Sequence, residues 1–198
     1  MKSLKYSLFL VLAMLLNSCE VEYGNFYPFY EHWLWLSFQD TSGNDLVKGI
    51  GYNWWQSDVV PEEEAGGGPV NPDLYTLKII FPENAVDVWE KSPEIRPELT
   101  LIKPNYGEWN SSKGYYLNFS TSSVKKDNVE MLTFKLSCPY VFGDNSTHEI
   151  VTYWRKSNVP KGTVKCYRIV FDGKEINEIT YENYEQISLA KIVLDRQQ

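Results

Sequence analysis

Two stretches of this 198-residue chain hold side chains with chemical potential. Positions 143–149 (GDNSTHE) bring an acid, a hydroxyl and an imidazole close together, with Asp144, His148 and Glu149 as the ionisable members. A base within reach of a hydroxyl is the beginning of a hydrolytic site. But the chain has only two His, and it carries neither an HExxH helix nor a GxSxG elbow. A hairpin loop whose Asp and Asn side chains bond to their own backbone explains the same residues. The chain is therefore read as non-enzymatic, with no catalytic residue. Asp40, Asn44 and Asp45 offer oxygens suited to Ca²⁺, yet Gly43 comes before the later pair, against the order of an EF-hand loop. A plain polar turn is expected there, and no metal or cofactor. Gly66, Gly67 and Gly68 lack a following Lys-Ser/Thr, so they read as part of a long loop and not as a phosphate cradle.

The aromatic residues are the second group. The chain has seven Trp, and aromatics make up 15% of it. Trp54, Trp55, Trp109 and Tyr116 lie at expected strand ends and in loops. Neighbours in a strand face opposite ways, so one of Trp54 and Trp55 should point outward if the other is core. A flat apolar ring with a polar tip is a stacking platform for a sugar. These four are candidate ligand-binding residues, and a core packed with aromatics is the competing reading. Trp33, Trp35 and Trp154 sit in the most apolar runs and are expected inside.

The elements that must position these residues are strands. The run at 33–38 (WLWLSF) suits a central strand buried on both faces. A second strand is expected over 46–55. Alternation marks further strands at 75–81, 115–120, 132–138 and 149–154. The pair 132–138 and 149–154 should form a hairpin through 143–147. Asp172-Gly173 is the preferred chemistry of a type I′ hairpin turn. A last strand is expected over 187–194, and no segment holds a helical period over three turns. Eight to ten short strands with turns between them predict an all-β, antiparallel sandwich of immunoglobulin-like type, with a closed barrel as the alternative.

The beginning of the chain supplies an address. Lys2 and Lys5 precede an apolar run at 6–16 (YSLFLVLAMLL). That run is too short to span a bilayer, which needs roughly 20 residues, and suits the core of a signal peptide. Leu16-Asn17-Ser18-Cys19 follows and resembles the lipobox of bacterial lipoproteins. The resemblance implies a signal peptide over 1–18, lipidation of Cys19, a tether over 19–30 and a single sandwich domain over 31–198. It implies an outer-membrane location through a lipid anchor. The acids Glu20 and Glu22 resemble a surface-export signal of Bacteroidetes. Cleavage would remove two lysines and no acid, making the mature chain more acidic than the net −7 of the whole. An acidic balance argues against nucleic acid as a partner.

With Cys19 assigned, Cys138 and Cys166 remain. An exported compartment permits a bridge between them, which would close a loop of about 29 residues and contribute roughly 3–4 kcal/mol. The alternative is two buried thiols. The stretches 136–154 (LSCPYVFGDNSTHEIVTYW), 36–50 (LSFQDTSGNDLVKGI) and 166–176 (CYRIVFDGKEI), with the lipobox, resemble a family of Bacteroides-type lipoproteins of unknown function. That family implies small exported proteins with immunoglobulin-like sandwiches and brings no activity with it. The resulting expectation is an envelope lipoprotein that presents an interaction module to a protein or glycan.

Overall fold

A computed structural model describes residues 29–53, 66–82, 86–87, 98–104, 114–124, 131–156, 164–182 and 186–195. They form two packed β-sheets, a sandwich and not a barrel. The strands are β1 (Phe29–Asp40), β2 (Gly67–Pro69), β3 (Thr76–Ile80), β4 (Val86–Asp87), β5 (Thr100–Ile102), β6 (Tyr116–Asn118) and β7 (Thr121–Val124). There follow β8 (Met131–Ser137), β9 (His148–Lys156), β10 (Val164–Phe171), β11 (Lys174–Ile176), β12 (Ile179–Glu182) and β13 (Ile187–Leu194). The larger sheet runs β12-β13-β1-β6-β5-β2, with β7 and β4 continuing from the first half of β1. The smaller runs β11-β10-β9-β8-β3. Among the described residues thirteen strands exceed the eight to ten expected, and several span only two to four residues.

Alternation builds the core. Leu34, Leu36 and Phe38 of β1 face Leu132, Phe134 and Leu136 of β8 and Ile150 and Trp154 of β9 in one buried cluster. Phe119 meets Phe134 edge to face, with ring centroids 5.6 Å apart. The other face of β1 is buried as well: Trp35 packs with Ile102, Ile187 and Leu189. The run at 33–38 is thus enclosed on both sides, as its continuous apolarity requires. The Asp172-Gly173 turn has both residues at positive φ, 45° and 79°, and joins β10 to β11.

The structure departs from the sequence reading in five places. The sandwich is not wholly antiparallel, because β1 and β13 pair in parallel from Trp33 and Ile187 to Asp40 and Leu194. No strand forms over the described part of 46–55. The Asp45 carboxylate accepts from the N–H groups of Val47 and Lys48 at 2.9 and 3.1 Å, in competition with a ladder, and Gly49 turns the chain at φ +87°. Gly67 and Gly68, read as loop, are buried in edge strand β2. A Cβ on Gly67 would lie 1.8 Å from the Leu101 carbonyl oxygen, so only glycine approaches β5 this closely. β8 and β9 pair as expected, but a helical turn, α1 (Pro139–Phe142), stands between them. Pro139 opens it and Gly143 closes it in the left-handed region.

Fifth, no disulfide joins Cys138 to Cys166; both are buried thiols. Register explains why. Leu136 lies opposite His148, whereas Cys166 lies opposite Trp154, six positions further along β9. At roughly 3.4 Å per residue that is about 20 Å, with a whole strand between the two, while a bridge needs Cα atoms within about 7 Å. Both cysteines do face the core. Burial pushes the Cys166 thiol up to about 12, and its S–H donates to the Arg168 carbonyl at 3.3 Å.

Candidate functional site

The outer face of the larger sheet carries an open groove of about 510 Å³. It is lined by Leu189 of β13 and Tyr116 of β6, by the buried Ser37, and by the polar side chains of Gln39, Thr180 and Lys191. Strand periodicity places them: Ser37 and Gln39 alternate with the core residues Leu36 and Phe38, and Lys191 lies opposite Ser37. Tyr116 is half-buried, and its ring lies 6.2 Å from that of the buried Trp35. The apolar cluster under the groove therefore holds Tyr116 in place while part of its surface stays open. Glu178 and Asp45 add acids to the lining. The Asp45 carboxylate is occupied: besides Val47 and Lys48, it accepts from the Tyr115 N–H at 3.2 Å, which ties the turn to the start of β6. Such a lining, one aromatic surface together with hydroxyl, amide, ammonium and carboxylate groups, suits a small polyhydroxylated ligand.

Of the four candidate aromatics, Tyr116 is the one the described residues place in this groove. Trp54, Trp55 and Trp109 lie outside the described residues, as does Cys19 with the whole of 1–28. Ser37, Gln39, Thr180, Glu178 and Lys191 were missed. The signal for Ser37 and Gln39 was present, since both are polar positions alternating with the apolar run of β1. Nothing local marks Thr180 or Glu178, which reach the groove only through the pairing of β12 with β13.

The other constellation is built around His148. Its Nδ1 lies 2.6 Å from Asp172 Oδ2, and its Nε2 lies 2.9 Å from Ser146 Oγ. Asp172, read from sequence only as a turn residue, is thus the third member of a Ser–His–Asp chain. Ser146 Oγ also lies 2.5 Å from Asp144 Oδ1, a carboxylate oxygen that only accepts. The single hydroxyl proton goes to Asp144, and this bond holds the Asp144 carboxyl below the usual range. The Ser146 hydroxyl is thereby engaged by Asp144, while its oxygen and the Asp172 carboxylate hold the two ring nitrogens of His148. The ring also packs against Phe142 and Phe171, with centroids 3.9 and 5.5 Å away. Asp172 Oδ1 accepts from the Glu149 N–H at 2.8 Å. The geometry is that of a latch fastening the 143–147 loop to the β10–β11 turn.

The Asp40 group is a polar turn, as expected. Its carboxylate accepts from the Ser42 N–H, the Asn44 N–H and the Asn44 amide at 2.7–2.8 Å, and these bonds, chiefly those from Asn44, lower its pKa. Among the described residues no group of three His, Cys, Asp or Glu side chains is placed to hold a metal ion, and no helix is long and apolar enough to cross a membrane. No family model, curated protein or solved structure matches the chain.

Proposed function

We propose that this chain is a lipid-anchored protein of the bacterial outer membrane whose β-sandwich is a non-catalytic binding module, and that the groove beside Tyr116 receives a carbohydrate. The address rests on the apolar run at 6–16 and on Cys19. The ligand class rests on one observation: a half-buried tyrosine, braced by Trp35, lines a groove together with Ser37, Gln39, Thr180 and Lys191. A sugar ring presents CH groups to an aromatic face and hydroxyls to polar side chains, which matches that set of groups.

A glycan array probed with the purified chain and with Tyr116→Ala tests the ligand class. Binding to at least one glycan is expected, weakened about tenfold or more in the variant, the loss of one stacked ring at roughly 1.4 kcal/mol. Circular dichroism checks that the variant keeps its sheets. If no glycan binds, or Tyr116→Ala binds like the parent, the carbohydrate reading is wrong.

A further inference from the structure

We propose that the outer face of the five-stranded sheet is a docking surface for a protein segment that is acidic at both ends and apolar between them. This face is remote in the fold from the groove, and the inference stands independently of it.

Cross-strand register lays the face out in rows. At one end Lys78 lies directly opposite Lys135, which lies opposite Glu149. In the middle Ile80, Thr133, Val151 and Val170 align in one row across four strands. At the other end Tyr153 lies opposite Arg168, and Arg155 opposite Lys165. Lys–Lys and Arg–Lys pairs directly opposite one another destabilise a sheet. At Lys78 and Lys135 an anionic partner would relieve that repulsion, whereas Lys165 lies over the Tyr181 ring at 5.2 Å. On a chain of net charge −7, this face sets Lys78, Lys135, Arg155 and Arg168 against Glu149 and Glu175. The two acids each meet a cation, Lys135 at 3.7 Å and Arg168 at 3.2 Å, in exposed pairs of little strength. Lys78 and Arg155 have no carboxylate partner among the described residues.

A bulge makes the second pole. Val164 and Cys166 are buried, Tyr167 and Arg168 are both exposed, and Ile169 is buried again. The register of β10 against β9 shifts between Cys166 and Arg168. Strict alternation would turn Arg168 into the core, and the bulge instead sets a ring and a guanidinium side by side in solvent. The Arg168 guanidinium lies 4.9 Å from the Tyr153 ring and that of Arg155 lies 5.4 Å from Tyr167. A guanidinium stacked this way keeps its in-plane donors for a carboxylate. It also occupies a ring face that a sugar would need, which favours a protein over a glycan here. Met131, Tyr167 and Ile80 are 38–45% exposed, and Tyr, Arg and Met are the residue types enriched in protein interfaces. The outer face of the other sheet, by contrast, buries Trp35, Ile102 and Ile187.

The spacing sets the partner's length. Glu149, beside the lysine pole, and Arg155 are six positions apart on β9, about 20 Å. An extended segment spans that with about six residues between its acidic ends. The probe is a fluorescent ten-residue peptide with two glutamates at each end and alternating Val and Thr between, titrated by anisotropy against the full chain in detergent. Saturable binding is expected, weakening about tenfold from 50 to 500 mM salt and about tenfold in the double variant Arg155→Glu, Arg168→Glu. Tyr116→Ala should bind the peptide unchanged, which separates this surface from the groove. No binding, or equal binding by the charge-reversed variant, overturns the proposal. Tighter binding of polygalacturonate than of the peptide would overturn it in favour of an acidic glycan.

Discussion

His32 shows how much one side chain can cost this fold. It sits on β1 with no exposed surface, edge-on to Trp154 at 4.8 Å, and neither ring nitrogen has a hydrogen-bond partner among the described residues. Burial lowers its pKa from 6.5 to about 3, and the nearby backbone of Tyr30 and Thr121 offsets only part of that. The folded state thus keeps the ring neutral at a pH where the unfolded chain protonates it. Stability from this difference is intact above about pH 6.5 and falls as the pH drops toward 3, at up to about 1.4 kcal/mol per unit. His32→Leu removes this proton uptake. In denaturant titrations at pH 7, 5.5 and 4.5, the variant should gain on the parent by roughly 2 kcal/mol across the series. A stability difference that stays constant with pH would show that His32 does not titrate this way.

At the scale of elements, the close approach of β2 to β5 depends on one missing Cβ. Gly67→Ala places a carbon against the Leu101 carbonyl at φ +135°, and neither backbone can yield without breaking the pairing of Gly67–Pro69 with Thr100–Ile102. Gly43→Ala is the matched control: φ is +86°, but nothing lies within 4 Å. The control should lose about 1–2 kcal/mol through backbone strain alone, and Gly67→Ala should lose at least about twice that, both measured by chemical denaturation. Equal losses would mean that β2 is not held as described. The same elements show what was legible. Alternation at Leu132, Phe134 and Leu136 and the Asp172-Gly173 pair announced strands and a turn because their signals are local. The bulge at Tyr167 and Arg168 was hidden, since a break in alternation is also what a strand end looks like. Gly67 gave a loop signal because glycine serves loops and crowded strands alike. The groove was legible only in Tyr116. Its polar lining comes from strands far apart in sequence, brought together by pairings that no local pattern encodes.

For the whole molecule, charge and faces work together. The net −7 would repel an anionic lipid surface, so the proposed membrane association falls entirely to the acyl chains on Cys19. Cys19→Ser should move the protein from the membrane pellet to the soluble fraction after cell breakage, with the fold unchanged by circular dichroism; a variant that still pellets would count against the anchor. The groove and the proposed docking surface lie on the outer faces of different sheets, so one domain could hold a carbohydrate in its groove and a protein on its five-stranded sheet at once.

The parallel register of β1 and β13 also has a mechanical meaning. A load drawn through the N-terminal end of β1, where the proposed tether enters, and resisted at the C-terminal end of β13 pulls two side-by-side strands in opposite directions along their length. The eight paired positions from Trp33–Ile187 to Asp40–Leu194 then bear that load together, in shear. An antiparallel pair loaded at the corresponding chain ends would instead open one bond at a time, like a zipper. For a domain pulled between these two chain ends, this arrangement slows rupture under tension without requiring a more stable fold, since forced unfolding follows the barrier and not the equilibrium.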